Sequence, residues 1–347
     1  MTEGRIRDRQ LKGLLFLSLL FDALISMWNT AELPSAKNML LVIAVGSAGL
    51  WLLLRPLSRW YRRGAEGAGL LEETPLKARW LIRIPGAAVF LFFAAESALR
   101  TVTFYLSVEQ QKSSQVLFLL LFCAGAAYGV YLGTEAVARG GAVILVLGLV
   151  SFGAVLAANL GNARLENLDV AAVQLEQCIS FSLWHPLPCA PFAAALVLAG
   201  QVTGKRAGFG RLCLWQMLLL LALLVVGELS LGGFLKASGM PVLYLSQIGS
   251  LSIFERFDAV YGALFVLCGF AKCTLYLSCV WQLLVPGLKK RDRPFWLGVL
   301  AGAVFFCAMA LMLLRMLWLY LAVQLLGTLI LAGAPAALAL CKRRHRS

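Results

Sequence analysis

Charged residues are scarce in this chain. Of its 347 residues, 14% are Asp, Glu, Lys or Arg and 61% are apolar, whereas soluble proteins are about a quarter charged and roughly 45–50% apolar. The shortage excludes a disordered chain, which needs high charge and few apolar residues, and argues against a soluble enzyme. Histidine is nearly missing: His185 and His345 are the two, too few to build a metal site. Nine cysteines are present, yet no two have Cys-x-x-Cys spacing, so the common zinc and dithiol motifs are lacking. Cys123, Cys213, Cys268, Cys273, Cys279 and Cys307 lie in apolar runs, where a thiol behaves as a small hydrophobe. Cys178 and Cys189 alone stand together near a polar segment, which leaves two free thiols or one disulfide as alternatives there. With no nucleophile–base set, metal cluster or phosphate loop, neither an enzyme nor a cofactor is expected.

What the chain does have is long hydrophobic runs. A bilayer core about 30 Å thick takes roughly 20 apolar residues per helix. Runs of that kind lie at 11–28, 38–54, 84–107, 116–133, 141–160, 187–203, 212–234, 257–285, 295–314 and 316–340. The expected fold is therefore an all-α integral membrane protein with ten transmembrane helices. Asp22 interrupts the first run and no small-residue cleavage site closes it, so an uncleaved helix is expected rather than a removed signal.

The formal charge is +14, from 31 Lys and Arg against 17 Asp and Glu. Its distribution decides what it means. With a cytosolic N-terminus, 23 of the basic residues fall in inner segments and six in outer ones, so both termini are expected in the cytosol. The excess is thus a topology signal and implies no nucleic-acid partner. Trp28, Trp60, Trp80, Trp184 and Trp296 fall near span ends, where indoles favour the interface.

Ten spans with both ends inside divide into five plus five, and an odd number per half makes the second half inverted, as in many carriers. The expected organisation is a single transmembrane domain over 1–347, with repeats at 1–165 and 180–341. A weak echo accompanies it, Thr103-Phe104-Tyr105-Leu106-Ser107 in span three against Thr274-Leu275-Tyr276-Leu277-Ser278 in span eight. Span six begins Trp184-His185-Pro186-Leu187-Pro188-Cys189-Ala190-Pro191. A continuous helix does not accept such prolines cheaply, which leaves a binding-site break or a proline-rich loop as alternatives.

Several motifs resemble those of the spore germination protein family, the B-subunit of nutrient germinant receptors. They are Glu255-Arg256-x-Asp258-Ala259 and Gly269-Phe270-x-Lys272 in and before span eight, Gly133-Thr134-Glu135-Ala136-Val137-Ala138-Arg139 after span four, and Arg9-Gln10-Leu11 at span one. The resemblance implies the amino acid–polyamine–organocation transporter superfamily and its inverted repeat. It further implies a multi-pass protein of the spore inner membrane, acting beside an A-subunit and a lipoprotein C-subunit. Where family members often carry Gly in span one, Thr-Pro before span four and Gly-x-Glu in span six, this chain reads FLSLLFDALISMW, QKSSQ and CAPFAAALVLAG. The resemblance therefore carries a fold and not a ligand specificity.

Ions inside the membrane are the candidate site, because each costs about 2.5–3.5 kcal/mol on insertion scales unless it is paired or wet. Glu96 and Arg100 stand four residues apart on one face of span three, as a self-neutralising pair or a holder of a zwitterion. Lys272 has no acid three or four residues away on its own helix, so its partner must come from another span, Asp22 or Glu96. A structural tie and a ligand- or proton-linked role remain open for it. Tyr105, Tyr276, Trp184 and His185 complete the candidate ligand-binding set. Glu135 with Arg139, and Glu255, Arg256 and Asp258, are gate or structural motifs at span ends. Three functions follow: a sensor of a small, amino-acid-like nutrient working with A- and C-type subunits, an ion-coupled amino acid or polyamine permease, or a scaffold without ligand. Span five carries no ionisable residue to couple protons, which counts against the permease.

Overall fold

The computed structural model describes residues 5–26, 36–63, 79–109, 114–168, 174–176, 178–179, 190–237, 241–249, 258–285, 292–314 and 322–323. The chain starts with a two-residue strand β1 (Ile6–Arg7) and helix α1 (Asp8–Ser26). Helices α2 (Ala36–Leu53) and α3 (Arg55–Arg63) follow and meet at a 45° bend. Then come α4 (Arg79–Glu109), α5 (Gln115–Leu132) and α6 (Thr134–Ala158). Helix α7 (Ala190–Val197) tightens into a 3-10 turn at Leu198–Gln201 and ends in strand β2 (Val202–Thr203). Helices α8 (Gly210–Leu231), α9 (Pro241–Ile248), α10 (Asp258–Leu284) and α11 (Arg293–Leu314) follow, with a single helical turn at Phe234–Ala237 after α8.

Local chemistry explains the boundaries. Asp8 opens α1 and takes the Lys12 ammonium at 2.7 Å one turn on, an acid where the helix dipole favours one. Ser114 caps α5, its hydroxyl accepting from Leu117 N at 3.4 Å. Gly133 then turns the chain straight from α5 into α6 at φ 98°, a conformation that a side chain resists. Helix α4 runs through Pro85, which gives up one backbone bond near the helix start.

The described helices lie on most of the expected runs, with informative differences. Span three lengthens to 31 residues as α4. The segment 134–140, expected as a loop, is the first part of α6, so Glu135 and Arg139 stand at the start of α6 and not at the end of span four. Glu135, Ala136, Ala138 and Arg139 are good helix formers, and Gly133 alone makes the corner. Span six, in its described part, is the twelve-residue apolar helix Ala190–Gln201, about 18 Å of rise. The proline-rich start of that span and nearly all of span ten lie outside the described residues.

Six described helices are long and apolar enough to cross a membrane, or seven if α2 and α3 form one bent span. The protein is an all-α membrane protein. Helices α4 and α10 form its axis: 67% and 72% of their apolar windows are buried, against 22% for α6 and α11. Helix α1, which carries Arg9, Lys12 and Asp22, is enclosed by α6, α7, α8 and α10, and Leu11, Leu15, Leu17, Leu19 and Phe21 are fully buried. Exposed Leu117, Leu121, Val146, Val150, Phe295 and Phe306 on α5, α6 and α11 form the outer apolar surface that a bilayer requires. Strands β1 and β2 pair in parallel, Ile6 with Val202 and Arg7 with Thr203, tying the start of α1 to the end of α7.

Candidate functional site

Helices α1, α4 and α10 bring four ionisable groups to one place in the core. On α10, Lys272 is 3% exposed, and its Nζ donates to Asp22 Oδ1 of α1. Glu96 Oε2 of α4 lies 3.9 Å from the same Nζ. Glu96 in turn holds the Arg100 guanidinium one turn along α4 through its other oxygen. Two cations and two anions make the cluster formally neutral, which is how such charges are tolerated away from water.

The close approach of the helices depends on Gly269, three residues before Lys272. A Cβ there would fall 2.0 Å from Thr101 Oγ1 and 2.8 Å from Phe21 Cε2, so any side chain would drive α10 away from α4 and α1. Small hydroxyls line the same crossing and satisfy themselves on their own helices, Thr101 on Ser97 O at 2.6 Å and Ser278 on Thr274 O at 2.7 Å. They let the backbones approach without leaving polar atoms unpaired.

Aromatic rings close the cluster. Lys272 Nζ lies 5.0 Å from the Phe21 ring centre and 5.8 Å from that of Tyr276, within cation–π range. Tyr276 is fully buried between Phe90 and Phe93, each at 5.8 Å, and its hydroxyl meets Ser18 Oγ at 3.2 Å.

Hydrogen-bonding capacity remains at the centre. An ammonium offers three donors, and among the described residues Asp22 takes one from Lys272. Glu96 Oε2 is buried and, among the described residues, accepts no hydrogen bond. An unspent acceptor thus faces a partly spent donor across 3.9 Å.

Of the residues singled out in the sequence, Asp22, Glu96, Arg100, Lys272 and Tyr276 come together. Lys272 engages both acids that the lack of a partner on its own helix pointed to. Tyr105 presents its ring to Phe118 of α5 at 5.2 Å, so it and Tyr276, equivalent in the sequence echo, have different surroundings. Asp258 opens α10, its Oδ1 accepting from Ala259 N at 3.1 Å. Glu135 and Arg139 pair at 2.5 Å on the surface. Trp184, His185, Glu255 and Arg256 lie outside the described residues. Cys178 is a free thiol near Asn38 O.

Ser18, Phe21, Phe90 and Phe93 escaped the sequence reading. Ser18 was findable, as a polar residue one turn before Asp22 and on its face; the three phenylalanines are indistinguishable in sequence from membrane-facing ones.

Residues 80–316 match the model of a family described as spore germination protein. The matched region runs from α4 to α11 and contains Glu96, Arg100, Lys272 and Tyr276, whereas Asp22 precedes it. No curated protein matches the chain.

Proposed function

The chain belongs to the spore germination protein family, and from that premise we propose that it is the membrane subunit of a nutrient germinant receptor, sensing an amino-acid-like ligand at the Asp22–Glu96–Lys272 cluster. The observation that carries this reading is the buried, neutral set of charges at the crossing of α1, α4 and α10, with Glu96 Oε2 unsatisfied. A zwitterion entering there exchanges its carboxylate for Asp22 on Lys272 and offers its ammonium to Glu96. Because Asp22 sits on α1 and Lys272 on α10, ligand that parts them shifts one helix against another. A receptor needs only that preference for one state, and net transport is not required.

The remaining parts of the reading rest on the resemblance of the motifs and on the count of apolar runs. The ten spans form two inverted five-helix repeats, the membrane is the spore inner membrane, and A- and C-type subunits receive the conformational change. A cytosolic start of the chain is supported by the packing of residues 5–12, 55–62 and 205–209 at one end of the bundle, where Asp8 accepts from Tyr61 and from Ala207 N. These are the segments that the positive-inside count assigns to the cytosol.

Germination of spores carrying Asp22→Asn, with single amino acids offered one at a time, tests the proposal. The response to one nutrient is expected to fall while protein level stays normal. Unchanged responses to every nutrient would refute the sensor reading, and ligand-driven uptake into vesicles would favour a permease.

A further inference from the structure

Away from the central cluster, a groove of about 590 Å³ opens where α2 bends into α3 beside the start of α8. Its walls carry four arginines, Arg55, Arg59 and Arg62 from α3 and Arg211 from α8, together with Trp51. All four arginines are exposed, and no carboxylate pairs with them among the described residues. Arg55 stacks over the Trp51 indole, its Cζ 3.9 Å from the ring centre. The floor is built: Phe209 N donates to Ser58 Oγ at 3.2 Å, and a Cβ on Gly208 would fall 2.5 Å from that hydroxyl. Helix α8 starts at this floor without a side-chain cap, so its first amides add positive potential from the same side.

We propose that this groove binds a phosphate-bearing anion, supplied by the headgroup of an anionic phospholipid. Guanidinium forks match phosphate oxygens two at a time, and four of them around one cavity exceed what a topology signal requires. The apolar margins select the lipid as the source. Trp51, Leu52 and Leu53 at the end of α2 are exposed, as are Leu214 and Trp215 one turn into α8. Helices α2 and α8 pack against each other, so acyl chains leaving the groove meet apolar surface on both. The site is independent of what the central cluster binds. It lies beside the Asp8–Tyr61 and Asp8–Ala207 contacts that hold the start of α1, so an occupied groove steadies that end of the bundle.

The test is thermal unfolding of the purified full chain in neutral detergent, titrated with phosphatidylglycerol, phosphatidylcholine or inorganic phosphate. Phosphatidylglycerol is expected to raise Tm saturably and phosphatidylcholine to leave it unchanged. Combining R59Q, R62Q and R211Q is expected to abolish the shift without lowering the lipid-free Tm. The charge-matched combination of R5Q, R9Q and K205Q, outside the groove, is expected to keep it. An equal shift with phosphatidylcholine, or one that survives the first combination, overturns the proposal. A shift with inorganic phosphate and none with phosphatidylglycerol overturns the assignment to lipid. Loss of the shift in the charge-matched set reduces the groove to general surface charge and overturns it as well.

Discussion

Lys272 and Asp22, 250 positions apart in sequence, form an ion pair in the interior of the bundle, and their helices are held in register by it. Removing Lys272 leaves Asp22 charged and uncompensated, at a cost of about 3–5 kcal/mol, whereas Lys272 without Asp22 still has Glu96 at 3.9 Å. Lys272→Met is therefore expected to lower the thermal stability of the purified protein sharply. Adding Asp22→Asn to it is expected to restore most of the loss, since the stranded charge is gone. Calorimetry or fluorescence melts of the two variants check this, and equal melting temperatures would show that the pair does not couple α1 to α10.

Gly269 sets the distance between those helices. Alanine there would bring Cβ into Thr101 and Phe21, and overpacking a core by one methyl or more costs about 1–3 kcal/mol. Gly269→Ala is expected to destabilise the protein, and Thr101→Ala to give part of that stability back by removing Oγ1, the atom nearest the new Cβ. If Gly269→Ala melts at the native temperature, the crossing is looser than the structure has it.

How much of this was readable in the sequence depends on the kind of signal. Span positions follow from hydropathy, which is local and strong, and the long described helices lie on expected runs, whereas α3 and α9 fall in segments expected as loops. The start of α6 differs because its first two turns, residues 134–140, are polar enough to read as a loop, while helix propensity and the Gly133 corner carry the chain onward. The charges of the central cluster stand out in apolar surroundings, so Asp22, Glu96, Arg100 and Lys272 were all visible one by one. Their convergence was half legible: Lys272 lacks a neighbour on its own helix and must look elsewhere, but nothing local says that Asp22 lies closer than Glu96. The groove of arginines was hidden because charge counting sums residues by loop. Arg55, Arg59 and Arg62 joined Arg211 only when the fold placed α3 beside the start of α8.

The Glu135–Arg139 pair invites a functional reading that its environment does not support. Its side chains are 42% and 71% exposed, and ion pairs in such settings contribute about 0–1 kcal/mol. Glu135→Ala is expected to shift the melting temperature barely at all and to leave nutrient responses intact in spores. A large loss of germination with normal stability would instead mark this corner as a contact for a partner subunit.

Asn159 is a stronger structural position than its place at a helix end suggests. It is fully buried, and its Nδ2 donates to Val155 O of α6 and to Leu245 O of α9, both at 2.8 Å. One amide thus closes α6 and fastens α9 to it, and Gly249 leaves room for it, since a Cβ there would fall 2.9 Å from Nδ2. Asn159→Ala deletes both bonds, each contributing about 0.5–1.5 kcal/mol. Asn159→Asp keeps the shape but replaces the donor with an oxygen that faces two carbonyls, and it buries a charge without a partner. The expected order of thermal stability is therefore Asn, then Ala, then Asp, with the aspartate variant regaining ground as pH falls, because a protonated carboxyl again offers one donor. If Asp is better tolerated than Ala at neutral pH, the side chain faces water and the clasp between α6 and α9 is not made by Asn159.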